Sequence, residues 1–402
     1  MLNQVNAPLA GIRIADFTIH AAGPFSTHLL SQFGAECIKI ESRTRPDAFR
    51  KPHAVYGRMT AATFDQVSAN KRSVRLNLKK PEAIDLAKRI VSISDATAES
   101  FRPGVMKRLG LDFDALLEVK PDLVMLSLSS SGQRGPDAHY AGYAPLFGAW
   151  GGLGWMSGYS DGPPMEMRHV MDHSAGFHAA LGLVAALHQH RRTGLPQHVD
   201  IAARDVASAM IGDALIQAGL GIAPIRPGNA DLAMAPHSTY PTAATDRWLT
   251  VAVRSDAEWR ALTRILGQET FAEDPRFSSV TARLENQGTL DTLMADWLSD
   301  HDAERIAGQL QNTGVAAHVS WNMQDIADDP HLHARGTLSS VDEKPGSSRL
   351  AVGSPAKFSS TSDVGIRRGT PRLGQDEDYV FGELLGLDSA QRKRLEEREV
   401  IF

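Results

Sequence analysis

Gly11-Ile-Arg-Ile-Ala-Asp16 and Glu36-Cys-Ile-Lys-Ile-Glu41, with the run 25–33 between them, decide the fold. Both short stretches alternate as strands do, and the run between them carries apolar residues at helical spacing. Strand, helix and strand in that order make a βαβ unit with parallel strands. Helix-like periodicity over 82–91 and the strand-like Asp122-Leu-Val-Met-Leu-Ser-Leu-Ser129 continue the alternation. The expected class is therefore α/β, a parallel sheet with helices on its faces. From 129 to 164 the texture changes, and Ser129-Ser-Ser-Gly-Gln-Arg-Gly-Pro136 and Asp161-Gly-Pro-Pro164 read as surface loops, where function concentrates.

Further along, 174–192 reads as a helix that Asp172 or Ser174 can cap and Thr193-Gly194 can end. A second helix is expected over 200–220. After the breaker Arg226-Pro-Gly-Asn229 come a strand at 248–253 and helices at 256–266, 287–299 and 303–313. The tail from 352 is loop-rich and closes on a charged helix, 389–399. The expected organisation is a large domain over 1–222, completed by 322–402, with a small domain at 223–321.

The 402 residues are 42% hydrophobic, enough for a sizeable core and too apolar for a disordered chain. Apolar runs break before the roughly 18 residues that a membrane span needs, and no signal-like segment opens the chain. One cysteine, Cys37, cannot make an intrachain disulfide or hold a zinc ribbon or iron–sulfur cluster, which fits a reducing cytoplasm. The net charge of −5 hides an asymmetry: residues 39–108 hold 16 Lys/Arg and 7 Asp/Glu, a balance of +9 that leaves −14 elsewhere. Such a tract is suited to an anion. It lacks the interleaved aromatics that stack bases, so a polyphosphate small molecule is expected rather than a nucleic acid.

Gly158-Tyr-Ser160-Asp-Gly162 matches the nucleophile elbow of hydrolases, yet Pro163 and Pro164 follow where a helix should run, so it reads as a turn. His169 and His173 have the i, i+4 spacing of metal ligands but no acidic residue completes a known pattern, and no metal is expected. Gly152-Leu-Gly154 lacks the rest of a dinucleotide fingerprint, and no P-loop occurs, so neither nicotinamide nor ATP chemistry is supported. Asp172, in Met171-Asp-His-Ser-Ala-Gly176, reads first as a helix cap. A carboxylate there would be held ionised by the helix amides, as nucleophilic attack on a thioester carbonyl requires.

The chain resembles the class III CoA-transferases, relatives of the α-methylacyl-CoA racemases, over nearly its whole length. The likeness is carried by Pro8-Leu-Ala-Gly-Ile-Arg-Ile-Ala-Asp-Phe17, Phe33-Gly-Ala-Glu-Cys-Ile-Lys-Ile-Glu41, Asn70-Lys-Arg-Ser73, Phe101-Arg-Pro-Gly104, Asp172-His-Ser-Ala-Gly176 and Glu273-Asp-Pro-Arg-Phe277. The resemblance implies a Rossmann-like large domain, an interlocked homodimer, and transfer of CoA between a thioester and a carboxylic acid. It further implies catalytic Asp172, acting through aspartyl anhydride and aspartyl-CoA thioester intermediates. The CoA contacts it implies are His20, Ala21, Leu76, Lys79, Ser100, Phe101, Arg102, Val105 and Arg108. Coenzyme A is then a substrate, and no permanent cofactor, nucleic acid or membrane is implied.

Ser42 and Ala141 stand where the oxalate enzymes of the family carry an arginine and a lysine, Ala21 replaces their loop glutamine, and 205–248 lacks their run of glycines. A larger or more apolar acyl group is expected, with Trp150, Trp155, Met156 and Met165 near in sequence. The alternatives are a racemase-type epimerase, whose usual histidine is missing from Ala141-Gly-Tyr143-Ala144, and a non-catalytic CoA-binding subunit of a heteromer.

Overall fold

The computed structural model describes residues 6–51, 59–167, 169–344 and 347–402. The chain divides into two compact units. The first takes in the chain up to Gly154, then Glu166–Gly221 and Pro330–Phe402; the second is Trp155–Met165 with Ile222–Asp329.

The first unit is built on a six-stranded sheet: β1 (Arg13–Phe17), β2 (Glu36–Glu41), β3 (Arg72–Arg75), β4 (Ala96–Glu99), β5 (Val124–Ser129) and β6 (Gln197–Ala202). The order is β3-β2-β1-β4-β5-β6, and every neighbouring pair is parallel. Parallel strands need crossovers that cover both faces, so their residues are buried on both sides, as all six of β5 are. On one face the helix Ala22–Gln32 and the long helix Val170–Thr193 pack over Ile14, Ala98 and Leu126. On the other, Pro81–Ser92, the short helix Val105–Leu109 and the C-terminal Val380, Phe381 and Ile401 cover Phe17, Ile38 and Met125.

The helix after β1 thus lies on one face and the helix after β4 on the other, though the two strands are neighbours. Where connections diverge in this way the carboxyl ends of the strands open into a crevice, the usual ligand site of such sheets.

Two expectations change. Residues 200–220 do not form one helix: β6 runs to Ala202 and is followed by Ala203–Ala209 and Gly212–Gly219. Val199 and Ile201 pack on the core while His198 and Asp200 alternate with them, a period of two that the flanking alanines obscured. The long helix also starts at Val170, so Asp172 lies in its first turn rather than at its cap.

Among the described residues, Val170–Thr193 alone is long and apolar enough to cross a membrane. Its Met171, Ala175, Ala179 and Leu183 are buried in the core of the first unit. In the second unit β7 (His237–Pro241), β8 (Trp248–Ala252) and β9 (Ala316–Val319) form an antiparallel sheet, with helices Asp256–Ile265, Gln287–Leu298 and Ala303–Asn312 packing around Trp259, Met294 and Ile306.

A buried charge network fixes the exit from β1. Lys71 and Asp16 are both fully buried and paired at 2.9 Å. The Lys71 ammonium also donates to Pro24 O (2.9 Å) and Thr27 Oγ1 (2.7 Å). Asp16 Oδ1 accepts from Thr18 N at 2.9 Å and from the Thr18 hydroxyl. Burial raises the Asp16 pKa, but Lys71, Lys39 and the hydrogen bonds outweigh it and hold the carboxyl below its ordinary range. Removing one partner of such a pair strands a buried charge, so Asp16→Ala should cost about 3–5 kcal/mol in urea unfolding. The double variant Asp16→Asn, Lys71→Met should lose less than the sum of its two single changes.

Candidate active site

The loop after β1 carries His20 in the left-handed region, φ +67°. A bulky side chain holds that conformation only when its surroundings determine it. Here they do. Thr18 is tied to Asp16, and Thr18 O accepts from the buried Lys39 ammonium at 2.7 Å. Ile19 N donates to Ser100 Oγ at 2.9 Å, and that hydroxyl donates to Ile19 O at 3.1 Å. The loops after β1 and β4 are thereby joined across the crevice. Gly23 sits at this junction, where a Cβ would come within 2.7 Å of Ser100 and 2.8 Å of Thr18. The His20 ring is exposed, edge-on to Phe49 and Tyr143 with centroids 6.2 Å away in each case.

The implied CoA residues gather along the carboxyl edge of the sheet: His20 and Ala21 after β1, Leu76 and Lys79 after β3, and the rest after β4. Ala21 caps the helix Ala22–Gln32, and Phe25 N donates to Ala21 O at 2.8 Å. Phe101 leans half-buried on the second-face core, while Arg102, Arg108 and Lys79 are exposed. Gly104 has φ +82° as the chain turns into Val105–Leu109, and Val105 is half-buried at the start of that helix. Leu76 is a core residue, so that position offers a ligand only its backbone.

The basic tract is partly internal. Lys39 and Lys71 are buried, Arg50 is paired with Glu41, and Arg75 with Glu377. Much of the local excess of positive charge therefore builds the fold rather than meeting an anion, which sequence counting cannot separate.

Asp172 is half-buried in the first turn of the long helix. Gly176, one turn on, lies against the start of the Ala22–Gln32 helix; a Cβ there would be 2.8 Å from Ala22 O and from the Phe25 ring. That close approach brings the amino ends of the two helices together. Phe25 meets the His173 ring edge-on at 4.4 Å. His173 Nδ1 donates to His169 O at 2.6 Å, which leaves Nε2 to accept from the Gln66 amide at 3.3 Å. The i, i+4 histidine spacing is thus spent on a backbone hydrogen bond, and no metal-ligand cluster occurs among the described residues.

The electrostatics of Asp172 differ from the helix-cap expectation. Burial is the largest influence and pushes its carboxyl above the ordinary range, while His173, His20 and His169 pull the other way. Ser160 of the elbow-like motif lies in a turn beside Tyr159, which bridges to Pro227, with neither strand nor helix around it.

The profile of CoA-transferase family III matches residues 9–377. This chain belongs to CoA-transferase family III. The succinyl-CoA–D-citramalate CoA-transferase of Chloroflexus aurantiacus is 32% identical over 398 residues, covering 98% of each chain. The acetyl-CoA:oxalate CoA-transferase of Acetobacter aceti is 32% identical over 371 residues, 92% of this chain and 93% of its own. A solved CAIB/BAIF family protein from Brucella suis superposes with a TM-score of 0.85 at 27% identity, covering 94% of this chain and all of its own. The protein is thus an enzyme, a CoA-transferase.

Sequence reading of this CoA-transferase missed Asp16, Lys71 and Glu99. The one signal for them is a charged residue inside an otherwise apolar strand or at its mouth. Glu99 ends β4, is buried, and has its pKa raised to about 7 by burial first and by Asp200 second. A carboxyl raised from 4.5 to about 7 keeps its proton in the folded state where the unfolded chain has lost it. Stability is then lost as pH rises through that window. Glu99→Gln, which does not ionise, should gain on the wild type by up to about 3 kcal/mol between roughly pH 5 and pH 8, read as a widening Tm gap.

Proposed function

We propose that this CoA-transferase moves CoA between an acyl-CoA and a free carboxylate through covalent intermediates on Asp172. The observation that carries this reading is Asp172 itself, a half-buried carboxyl under the influence of His20, whose loop leaves β1 at the sheet's crevice. The carboxylate attacks the thioester carbonyl, the C–S bond breaks, and a mixed anhydride forms with loss of CoA thiolate. The thiolate then attacks the aspartyl carbonyl, releasing the donor acid and leaving an aspartyl-CoA thioester. The acceptor carboxylate attacks that thioester to form a second anhydride and free the thiolate. Attack of the thiolate on the acceptor's acyl carbon gives the new acyl-CoA and regenerates the aspartate. The thioester's free energy stays in covalent bonds throughout, so the scheme needs no ATP. Water must be excluded, because it would hydrolyse the anhydride.

CoA lies along the carboxyl edge of the sheet in this reading, its phosphates facing the exposed Lys79, Arg102 and Arg108 and an apolar portion resting on Phe101. The acceptor is larger than oxalate. Ser42 and Ala141 supply no cation, and neighbouring Arg43 lays its guanidinium over the Phe402 ring at 5.0 Å. Two relatives, from Chloroflexus aurantiacus and Agrobacterium fabrum, are named for citramalate and glutarate. The enzyme works as a homodimer in this reading: Phe177 and Leu181, one turn apart on the long helix, are 51% and 68% exposed, an apolar stripe that a second copy covers. CoA chemistry and a lone cysteine support a cytoplasmic location in this reading.

Incubation with a mixed acyl-CoA pool, followed by borohydride reduction or hydroxylamine trapping, should mark Asp172 by peptide mass, with no adduct in Asp172→Ala. An unmodified Asp172 in protein that binds CoA would overturn the assignment. Trapping should fail on the acid side with a midpoint above the ordinary aspartate value of about 3.9, and His173→Gln should move that midpoint up. In an acceptor panel of oxalate, glutarate, branched and aromatic acids, oxalate should be the poorest; its ranking first would refute the larger acceptor.

A further inference from the structure

The carboxyl end of β4 holds a polar chain, buried at Glu99 and Ser127 and exposed at His198 and Asp200, that the transfer chemistry does not use. Glu99, Ser127 and Asp200 stand in register on β4, β5 and β6, on the sheet face opposite the long helix. Glu99 Oε2 accepts from Phe101 N at 2.7 Å, closing the chain back over Ser100. Ser127, beside Glu99 in register, draws the Glu99 carboxyl towards its ionised form, and its Oγ lies 2.9 Å from His198 Nε2. The His198 ring is in turn stacked on Phe113, with centroids 5.1 Å apart. Gln133, whose amide lies 3.5 Å from Glu99 Oε1, is itself anchored because its backbone N–H donates to Asp200.

A carboxyl at the last residue of a strand, bonded to the backbone N–H two residues on, has one outward effect: the position of the Phe101 amide. From that amide the chain runs into Arg102, whose carbonyl accepts from Val105 N at 3.1 Å and starts the helix Val105–Leu109. We propose that Glu99 is a positioning residue for CoA recognition, fixing the Phe101–Arg102 turn by accepting the Phe101 N–H. The inference rests on the reading that CoA binds along the loops after β1, β3 and β4. Glu99 itself touches no ligand. Its pKa near 7 is in keeping with a group placed for its reach rather than for its charge, since a protonated carboxyl still offers a carbonyl oxygen to the amide.

The test separates reach from charge. Glu99→Gln keeps the length and one acceptor oxygen but cannot ionise; Glu99→Asp keeps an ionisable carboxyl but falls one methylene short of Phe101 N. CoA affinity by calorimetry and the rate of adduct formation at saturating acyl-CoA are measured on each full-length variant, with cooperative thermal unfolding as the check on folding. Glu99→Gln should bind CoA within about two-fold of wild type, whereas Glu99→Asp should bind about ten-fold more weakly. The saturated rate should be unchanged in both, because Asp172 and its histidines are untouched. Wild-type affinity in Glu99→Asp, equal weakening in both variants, or a fall in saturated rate with affinity intact would each overturn the proposal. Failure of the wild type to bind CoA at all would overturn the transferase reading beneath it, so the two failures are told apart.

Discussion

A lysine ammonium sealed inside the first unit is the constraint on which the site depends. Lys71 reaches from the start of β3 to Asp16 on β1 and to Pro24 O and Thr27 on the helix that follows, and so ties that strand–helix unit to a residue 44 to 55 positions further along the chain. Two charges taken out of water are tolerated only where further hydrogen bonds satisfy them. That requirement is met by Thr18 and Thr27 on Asp16, and Lys39 completes the cage by holding Thr18 O. The chain leaving β1 therefore has one path, and His20 is held in a left-handed conformation at its end.

The crevice follows from topology. Because the helices after β1 and β4 go to opposite faces, the two loops part, and Ser100 bridges them through both Ile19 backbone groups. Gly23 and Gly176 then let the Ala22–Gln32 helix approach Ser100 on one side and the long helix on the other, closer than any side chain allows. Asp172 is carried to this junction by a helix whose own core contacts are small and apolar. Its carboxyl is pulled two ways: burial favours the protonated form, and three histidines favour the ionised form.

Legibility varied with the range of the physics involved. The strands β1, β2 and β5 were readable because period-two patterns are local, and the helices Asp256–Ile265 and Ala303–Asn312 because amphipathic spacing and the capping residues Ser255 and Asp302 lie within one turn. Asp200 reads as helical because β6 is polar on one side and runs directly into the alanines that follow it. Counting charge over 39–108 pointed to an anion, yet Lys39 and Lys71 face inward, and only their partners on other segments reveal that.

By itself the sequence determined the α/β class and the family, since alternation, order and spacing are properties of the linear chain. The tertiary structure decided which cations are buried, how far Asp172 sits inside the first turn of its helix, and that Glu99, Ser127 and His198 lie together at the mouth of the sheet. Those facts depend on desolvation and on contacts between residues tens to hundreds of positions apart. Neither is written in any short stretch of chain.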